Sequence, residues 1–546
     1  MLRRIRRTLL AGAIVGTALL STSLDNPSRA SQVASHTLRV FVPGSFSGCS
    51  SVALQTSPAL RAVLDLTRPS AFVPNAQGRL VGTGGAVSSA ELISLKPQTV
   101  TYGINTSLLW SNGDPFSAAD LTSRIKVGQQ SQAAWAIGYH HVVSYSVAPN
   151  GRSVTVVFDS HYSDWPVLFR DLEHGATSTC SLDDELRRPS LGAYLLESLS
   201  PTQAVLEANP QFASLGTYFT TVVVNAGDRS SSQVSGPVVD YRYKLSDRDL
   251  VALAGRQDRG SRMGSSNRLL AVTFSSASNM TSSQTVRKVL SWSVDRAHLI
   301  NTLYGSRFQG GGIALSSLIS QGQSGYPTTN VSTPLSYFTT TTTTPPEPNQ
   351  GSQSFECAPC ATRVRGDGVQ FRGQQLFYRG RSVSLTLGVG PSPDERAAAA
   401  VINRTWSRLG VLVYQLPVAS PYVAATLLRQ GVIDAYVGFT FTGIVGVSAM
   451  SWSGASFADS VDFGWRSVKA NEAALVAEST FNPSDALNSW EIVDNEIAAN
   501  YWQRPIVSAP YVVQWTFGIS GVAPSTTIDG LLNQAPTWTY VSAVGS

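Results

Sequence analysis

The sequence predicts an α/β protein divided into two lobes. Three observations carry this: a length of 546 residues, strand-like and helix-like segments alternating along most of the chain, and sharp helix caps that punctuate the alternation. A single hydrophobic core stops growing at roughly 250–300 residues, so a chain of this length divides. Hydrophobic residues at 42% against 14% charged supply enough apolar surface for folding and separate the chain from disordered ones.

At the N-terminus, Arg3, Arg4, Arg6 and Arg7 precede an apolar run from Thr8 to Leu20. A basic cluster followed by a run well short of the ~20 residues that span a bilayer reads as a secretory signal. Residues 1–35 are therefore expected to be a signal peptide and short leader, with cleavage between Ser23 and Ser35, the alternative being a retained amphipathic anchor. These arginines carry most of the net charge of +5. Without them the chain is close to neutral, so no nucleic-acid footprint is read. The expected location is the periplasm, the cell envelope or the extracellular space.

Strands are expected at 37–43 and at 152–159, the latter behind a Pro149-Asn150-Gly151 turn. Further strands are expected at 218–224, 268–274, 382–389, 411–416 and 433–439. Ser117 with Asp120 marks a capped helix start. Val286 to Leu303 reads as a helix broken near Asp295 and closed by Gly305. Ser392-Pro393-Asp394-Glu395 gives a cap, a first-turn proline and a capping-box acid, and Gly410 ends the Ala-rich helix that follows. From Gln321 to Thr362 the chain is rich in Gly, Pro, Ser and Thr and reads as a loop or linker.

Four cysteines fall beyond the signal: Cys49, Cys180, Cys357 and Cys360. An even number in an oxidising compartment is compatible with two disulfides. Cys357-x-x-Cys360 lies in the Pro-rich segment, without the second CxxC or HxxxH that zinc would need. A short structural disulfide is preferred there to half a zinc site or a redox pair.

Several segments, in order, resemble the family 5 extracellular solute-binding proteins of ABC importers, the oligopeptide-, dipeptide- and nickel-binding type. They are residues 99–121 (TVTYGINTSLLWSNGDPFSAADL), 191–210 (LGAYLLESLSPTQAVLEANP), 286–300 (VRKVLSWSVDRAHLI, with Arg287, Asp295 and Arg296), 366–387, 395–434 and 489–540. The resemblance implies a two-lobed periplasmic-binding-protein-like fold with a hinge. Residues 36–260 and 505–546 would form lobe one, with an extra subdomain at 51–164. Residues 265–500 would form lobe two, including the loop at 321–362. It also implies a peptide or other small solute held in the interlobe cleft by a monomer without a cofactor. A membrane permease with a separate ATPase would receive that solute, since no phosphate loop occurs in this chain.

In peptide-binding members an acid shortly after the Gly-x-x-Asp strand receives the ligand's ammonium group. Here no acid follows Asp434 until Asp459, and an ammonium buried without a counter-charge costs several kcal/mol. Phe439, Thr440, Phe441 and Thr442 stand in that stretch and suggest an aromatic and hydroxyl-lined surface for a neutral ligand, a blocked peptide or a sugar-like molecule. The alternative is that the two phenylalanines belong to a buried strand. Asp434 itself is expected to be structural. By the same resemblance Ser45 and Phe46, in the loop Pro43 to Cys49, form a rim near Thr177 to Cys180, which is the argument for a Cys49–Cys180 bridge. Tyr511 and Trp515 near the second chain crossing are further ligand candidates. An enzyme is not expected: no Gly-x-Ser-x-Gly elbow and no HExxH occur, and His140-His141 on a strand would point to opposite faces. A scaffold or regulatory protein that kept the fold without transport is the main rival, and a secreted hydrolase the lesser one.

Overall fold

The computed structural model describes residues 36–46, 57–75, 80–131, 136–175, 188–215, 217–227, 234–243, 258–305, 312–321, 326–327, 367–373, 375–442, 463–522 and 531–541. Residues 1–35, where the signal peptide is expected, all four cysteines, the stretch Thr177 to Cys180 and nearly all of the Thr/Pro-rich segment lie outside these residues. So does the side chain of Phe441, although its strand is described.

Strand β1 (Thr37–Val42) buries Leu38, Val40 and Val42 and is followed by helix α1 (Pro58–Thr67), which Ser57 caps through the Leu60 N–H. Strands β2 (Val87–Leu95), β3 (Gln98–Ile104), β4 (Val142–Val147) and β5 (Ser153–Phe158) form a separate four-stranded sheet in the order β2-β3-β5-β4. Helix α2 (Ala118–Gln130) and the short helix α3 (Ile137–His140) join it, around a core that includes Tyr102, Trp110, Leu121 and Val154. Ser117 and Asp120 form the expected capping box. His140 ends α3 rather than standing on a strand, and His141 caps it, stacked on Tyr162 at 4.5 Å and 3.1 Å from Asp159.

The chain then returns to β1. Strands β6 (Tyr194–Ser200), β7 (Gln203–Ala208), β8 (Thr221–Ala226) and β9 (Val238–Arg242) complete the first half of a ten-stranded sheet, with β8 and β9 parallel to β1 on either side. Strand β10 (Arg259–Phe274) leads to helices α4 (Gln284–Ser293) and α5 (Arg296–Tyr304). Their break falls at Asp295 because its side chain accepts the His298 N–H and caps the second helix. Strand β11 (Ser384–Val389), helix α6 (Pro393–Arg408), strand β12 (Leu412–Pro417), helix α7 (Pro421–Arg429) and strand β13 (Ala435–Phe441) form a parallel unit. Ser392 and Glu395 make its capping box, and Gly410 takes φ +71° at the end of α6. Asp434 is structural: its carboxylate accepts the Thr386 N–H at 2.6 Å and the Ser278 hydroxyl. Helices α8 (Val468–Ser479) and α9 (Pro483–Ala499) precede the closing strand β14 (Gln503–Thr516).

The large sheet runs β12-β11-β13-β10-β14-β9-β1-β8-β7-β6. Its two halves share one antiparallel pair of long strands, β10 and β14. Arg259 to Ser265 face Thr516 to Pro510, and β14 there also pairs with β9. Leu269 to Thr273 face Ser508 to Gln503, and β10 there also pairs with β13. The ladder slips between Ser265 and Leu269, a bulge that bends the pair where it passes from one half to the other. Each half has its own core. Leu38, Val63, Leu206, Val224 and Val513 pack one; Leu270, Val289, Leu387, Ile402, Trp406 and Val437 pack the other.

Candidate functional site

The alternation along β13 decides which of its side chains are available. Phe439 joins the core of the second half beside Leu270, its register partner on β10. Thr440 and Thr442 are both buried, and their hydroxyls are already used. Thr440 donates to the Leu269 carbonyl at 3.4 Å, and Thr442 to the Asn267 carbonyl at 3.0 Å, with Ser320 as a second partner. The expected hydroxyl-lined surface is thus a set of strand-to-strand hydrogen bonds. Ser45 is exposed, whereas Phe46 is buried in the core of the first half.

Tyr511 and Trp515 lie four residues apart on one face of β14, each opposite a glycine of β10. Gly264 faces Tyr511 and Gly260 faces Trp515. A Cβ at Gly260 would come within 2.6 Å of the indole, and one at Gly264 within 2.9 Å of the phenol ring. Each ring therefore covers the backbone of the neighbouring strand, and both pack against the first core. Tyr511 also stacks on Tyr241 with ring centres 5.3 Å apart.

At the bulge the structure brings together residues that sequence patterns did not single out. Arg268, half-buried, holds its guanidinium carbon 4.5 Å from the ring centre of Tyr243, which follows β9, and 4.1 Å from that of Phe439 on β13. One cation thus touches aromatic rings from both halves of the molecule. Among the described residues Arg268 has no ion-pair partner. Its charge is felt more widely. Burial first, then the neighbouring rings of Tyr243 and Tyr511, push the Tyr241 hydroxyl well above its usual range, while Arg268 acts in the opposite direction. Tyr436 is likewise raised by burial and by Glu395, with Arg268 opposing. The hydroxyls of Tyr241 and Tyr436 and the side-chain oxygen of Asn267 are buried without a hydrogen-bond partner among the described residues. Glu395, a carboxylate close by, spends its oxygens on the backbone N–H groups of Ser392 (2.7 Å) and Phe439 (2.8 Å).

This arrangement offers a cation on an aromatic bed with orphaned polar atoms around it. A guanidinium presents a planar fork of donors suited to a carboxylate or phosphate, and rings add cation–π stabilisation without neutralising its charge. No sequence pattern pointed to Arg268, since a lone arginine before an apolar strand is ordinary. The signal lies in its pairing with Tyr243 and Phe439.

Three comparisons bear on the chain. The family model described as "Bacterial extracellular solute-binding proteins, family 5 Middle" matches residues 85–473. The oligopeptide-binding protein OppA of Mycobacterium tuberculosis is 28% identical over 165 residues, which is 28% of this chain and 28% of that protein's length. Among solved structures, the periplasmic EDTA-binding protein EppA superposes with a TM-score of 0.76 at 18% identity, over 93% of this chain and 97% of its own. The oligopeptide-binding protein AppA of Bacillus subtilis, in complex with a nonapeptide, gives a TM-score of 0.73 at 12% identity, over 93% and 99%. At these identities the structural likeness establishes the two-lobed fold.

Proposed function

This chain belongs to family 5 of the bacterial extracellular solute-binding proteins, and from that premise we propose that it captures a small solute bearing a carboxylate or similar anionic group. The solute lies between the two lobes, with Arg268 as its counter-charge. The hinge is the β10–β14 pair at the slip from Ser265 to Leu269, slightly beyond the boundary the sequence suggests. The protein is exported and works as the binding component of an ABC importer, delivering its solute to a membrane permease driven by a separate ATPase. It carries out no chemistry on the solute.

The observation that carries this reading is Arg268, held against Tyr243 and Phe439 with no ion-pair partner among the described residues. A half-buried guanidinium on two aromatic rings keeps its donors available, and a ligand anion supplied from solution would pair with it. The absence of an acid between Asp434 and Asp459 points the same way, because a free ammonium would find no counter-charge there. The likeness to an EDTA-binding protein is in keeping with a polycarboxylate, and the likeness to peptide binders with a peptide held by its C-terminal carboxylate.

Thermal denaturation with matched ligand pairs tests it: acidic peptides, polycarboxylates and metal chelates beside their amides or esters. A ligand at a hundredfold excess over its Kd raises stability by about 2.7 kcal/mol. Stabilisation by acids and not by their neutral counterparts supports the reading. Stabilisation by neutral or cationic members alone refutes it.

A further inference from the structure

Helix α5 and strand β14 bury two arginines in the second lobe that no carboxylate of the described residues neutralises. Arg296 and Arg504 are 2% and 4% exposed and line one small cavity together with Ser291, Gln503 and Asp494. Arg296 spends one nitrogen on the carbonyls of Ala314 (3.0 Å) and Pro505 (3.1 Å). Its Nε and its other terminal nitrogen, the Nε of Arg504 and the hydroxyl of Ser291 remain buried with no hydrogen-bond partner among the described residues.

Asp494 does not fill this role. It accepts the Ser317 N–H at 2.8 Å, and burial raises its pKa to about 6. Neither guanidinium lies within ion-pair distance of it. Burial, followed by the charge of Arg296, lowers Arg504 to about 9, so the two cations repel rather than share an anion. Both nevertheless stay protonated near pH 7. Two buried like charges with several unsatisfied donors are among the most costly arrangements a protein interior can hold.

We propose that this cavity binds a small inorganic monoanion of halide size, bridging Arg296 and Arg504 and fastening α5 to the crossing strand β14. The cavity has room for about one water-sized body, which excludes phosphate, sulfate and the carboxylates of an organic solute. The Ser291 hydroxyl supplies a third donor; the lining also carries acceptors, the unpartnered Oε1 of Gln503 and the Asp494 carboxyl, so a halide, as a pure acceptor, would sit on the arginine side of the cavity. The site is separate from the one at Arg268 and would serve stability rather than solute capture.

The test is thermal denaturation of the full chain in sodium chloride and in sodium gluconate at equal ionic strength, together with crystals soaked in sodium bromide. Expected are a melting temperature that rises with chloride but stays flat in gluconate, and an anomalous bromide peak between Arg296 and Arg504. In Arg504→Met the chloride dependence should vanish while binding of any solute at Arg268 persists. Equal slopes in the two salts, an unchanged slope in Arg504→Met, or a cavity holding only water in bromide-soaked crystals would overturn the proposal. The bromide measurement needs no variant, so it decides the matter even if Arg504→Met does not fold.

Discussion

The guanidinium of Arg268 lies 4.1 Å from the ring centre of Phe439, although 171 residues of chain separate them and neither is notable in its local sequence. Contact arises because β10 and β13 are antiparallel neighbours, which puts Phe439 one diagonal step from Arg268 on the same face of the sheet. Tyr243 brings a ring from the other lobe to the same cation.

The glycines of β10 give a stability prediction. Gly260→Ala places a methyl carbon where the Trp515 indole lies, 2.6 Å away, so the ring must leave the strand it covers. Overpacking of this kind costs about 1–3 kcal/mol. Chemical denaturation should show a loss in that range, with altered tryptophan fluorescence in the folded state. Full wild-type stability would mean that the indole moves aside freely.

An acid-dependent loss of stability is expected where α1 meets the loop that carries Asp171. Asp171 meets Arg61 through paired contacts at 2.6 Å and 2.8 Å. Burial alone would raise the Asp171 pKa, but the charge and hydrogen bonds of Arg61, helped by Arg170 and Arg124, bring it down to about 2. A depressed carboxylate contributes stability above its unfolded value of 3.8, and that contribution is lost as pH falls through about 2. The size is about 2 kcal/mol. Asp171→Asn should cost about 3 kcal/mol near pH 7 by leaving Arg61 partly uncompensated. Asn suits the left-handed backbone at this position (φ 49°). Urea unfolding at pH 7 and pH 2 checks both statements, with the gap between wild type and variant closing in acid.

The opposite sign is expected where the segment after β5 touches α8. There the Ser163 N–H donates to the Glu478 carbonyl, and His161 packs edge-on against Phe481. Burial, and then the nearby Asp164, raise the Glu478 carboxyl to about 7. Burial raises Asp164 to about 6. An acid with a raised folded-state pKa destabilises the contact as pH climbs from its unfolded value toward the folded one. Glu478→Gln should therefore stabilise the protein at pH 8 and leave it unchanged at pH 4, as read by thermal denaturation at each pH. An equal effect at both pH values would assign the change to something other than this carboxyl.

Much of the fold was legible because its signals are local. Ser117 with Asp120, Asp295, Ser392 with Glu395, and Gly410 each act within one helical turn, so sequence alone places them. The structural role of Asp434 is legible for a related reason, its place in the Gly-x-x-Asp strand pattern of the family. The site was less legible. The hydroxyls of Thr440 and Thr442 looked available in sequence, yet the carbonyls that take them, Leu269 and Asn267, lie on a strand some 170 residues earlier and become neighbours only when β10 and β13 pair. Tyr511 and Trp515 read as ligand-facing aromatics because nothing in sequence reveals that glycines stand opposite them. Arg268 is illegible in sequence for the complementary reason: its contacts with Tyr243 and Phe439, and the absence of an ion-pair partner among the described residues, exist only once its neighbours are assembled.

The central claim, that a ligand anion completes Arg268, is tested most directly by calorimetric titration of wild type and Arg268→Gln with one tight-binding carboxylate ligand. A hydrogen-bonded charge pair contributes about 1.5–3 kcal/mol, so the variant should bind roughly 10- to 100-fold more weakly. The amide of the same ligand should bind both proteins alike. Equal affinity of the carboxylate for wild type and Arg268→Gln would contradict the account.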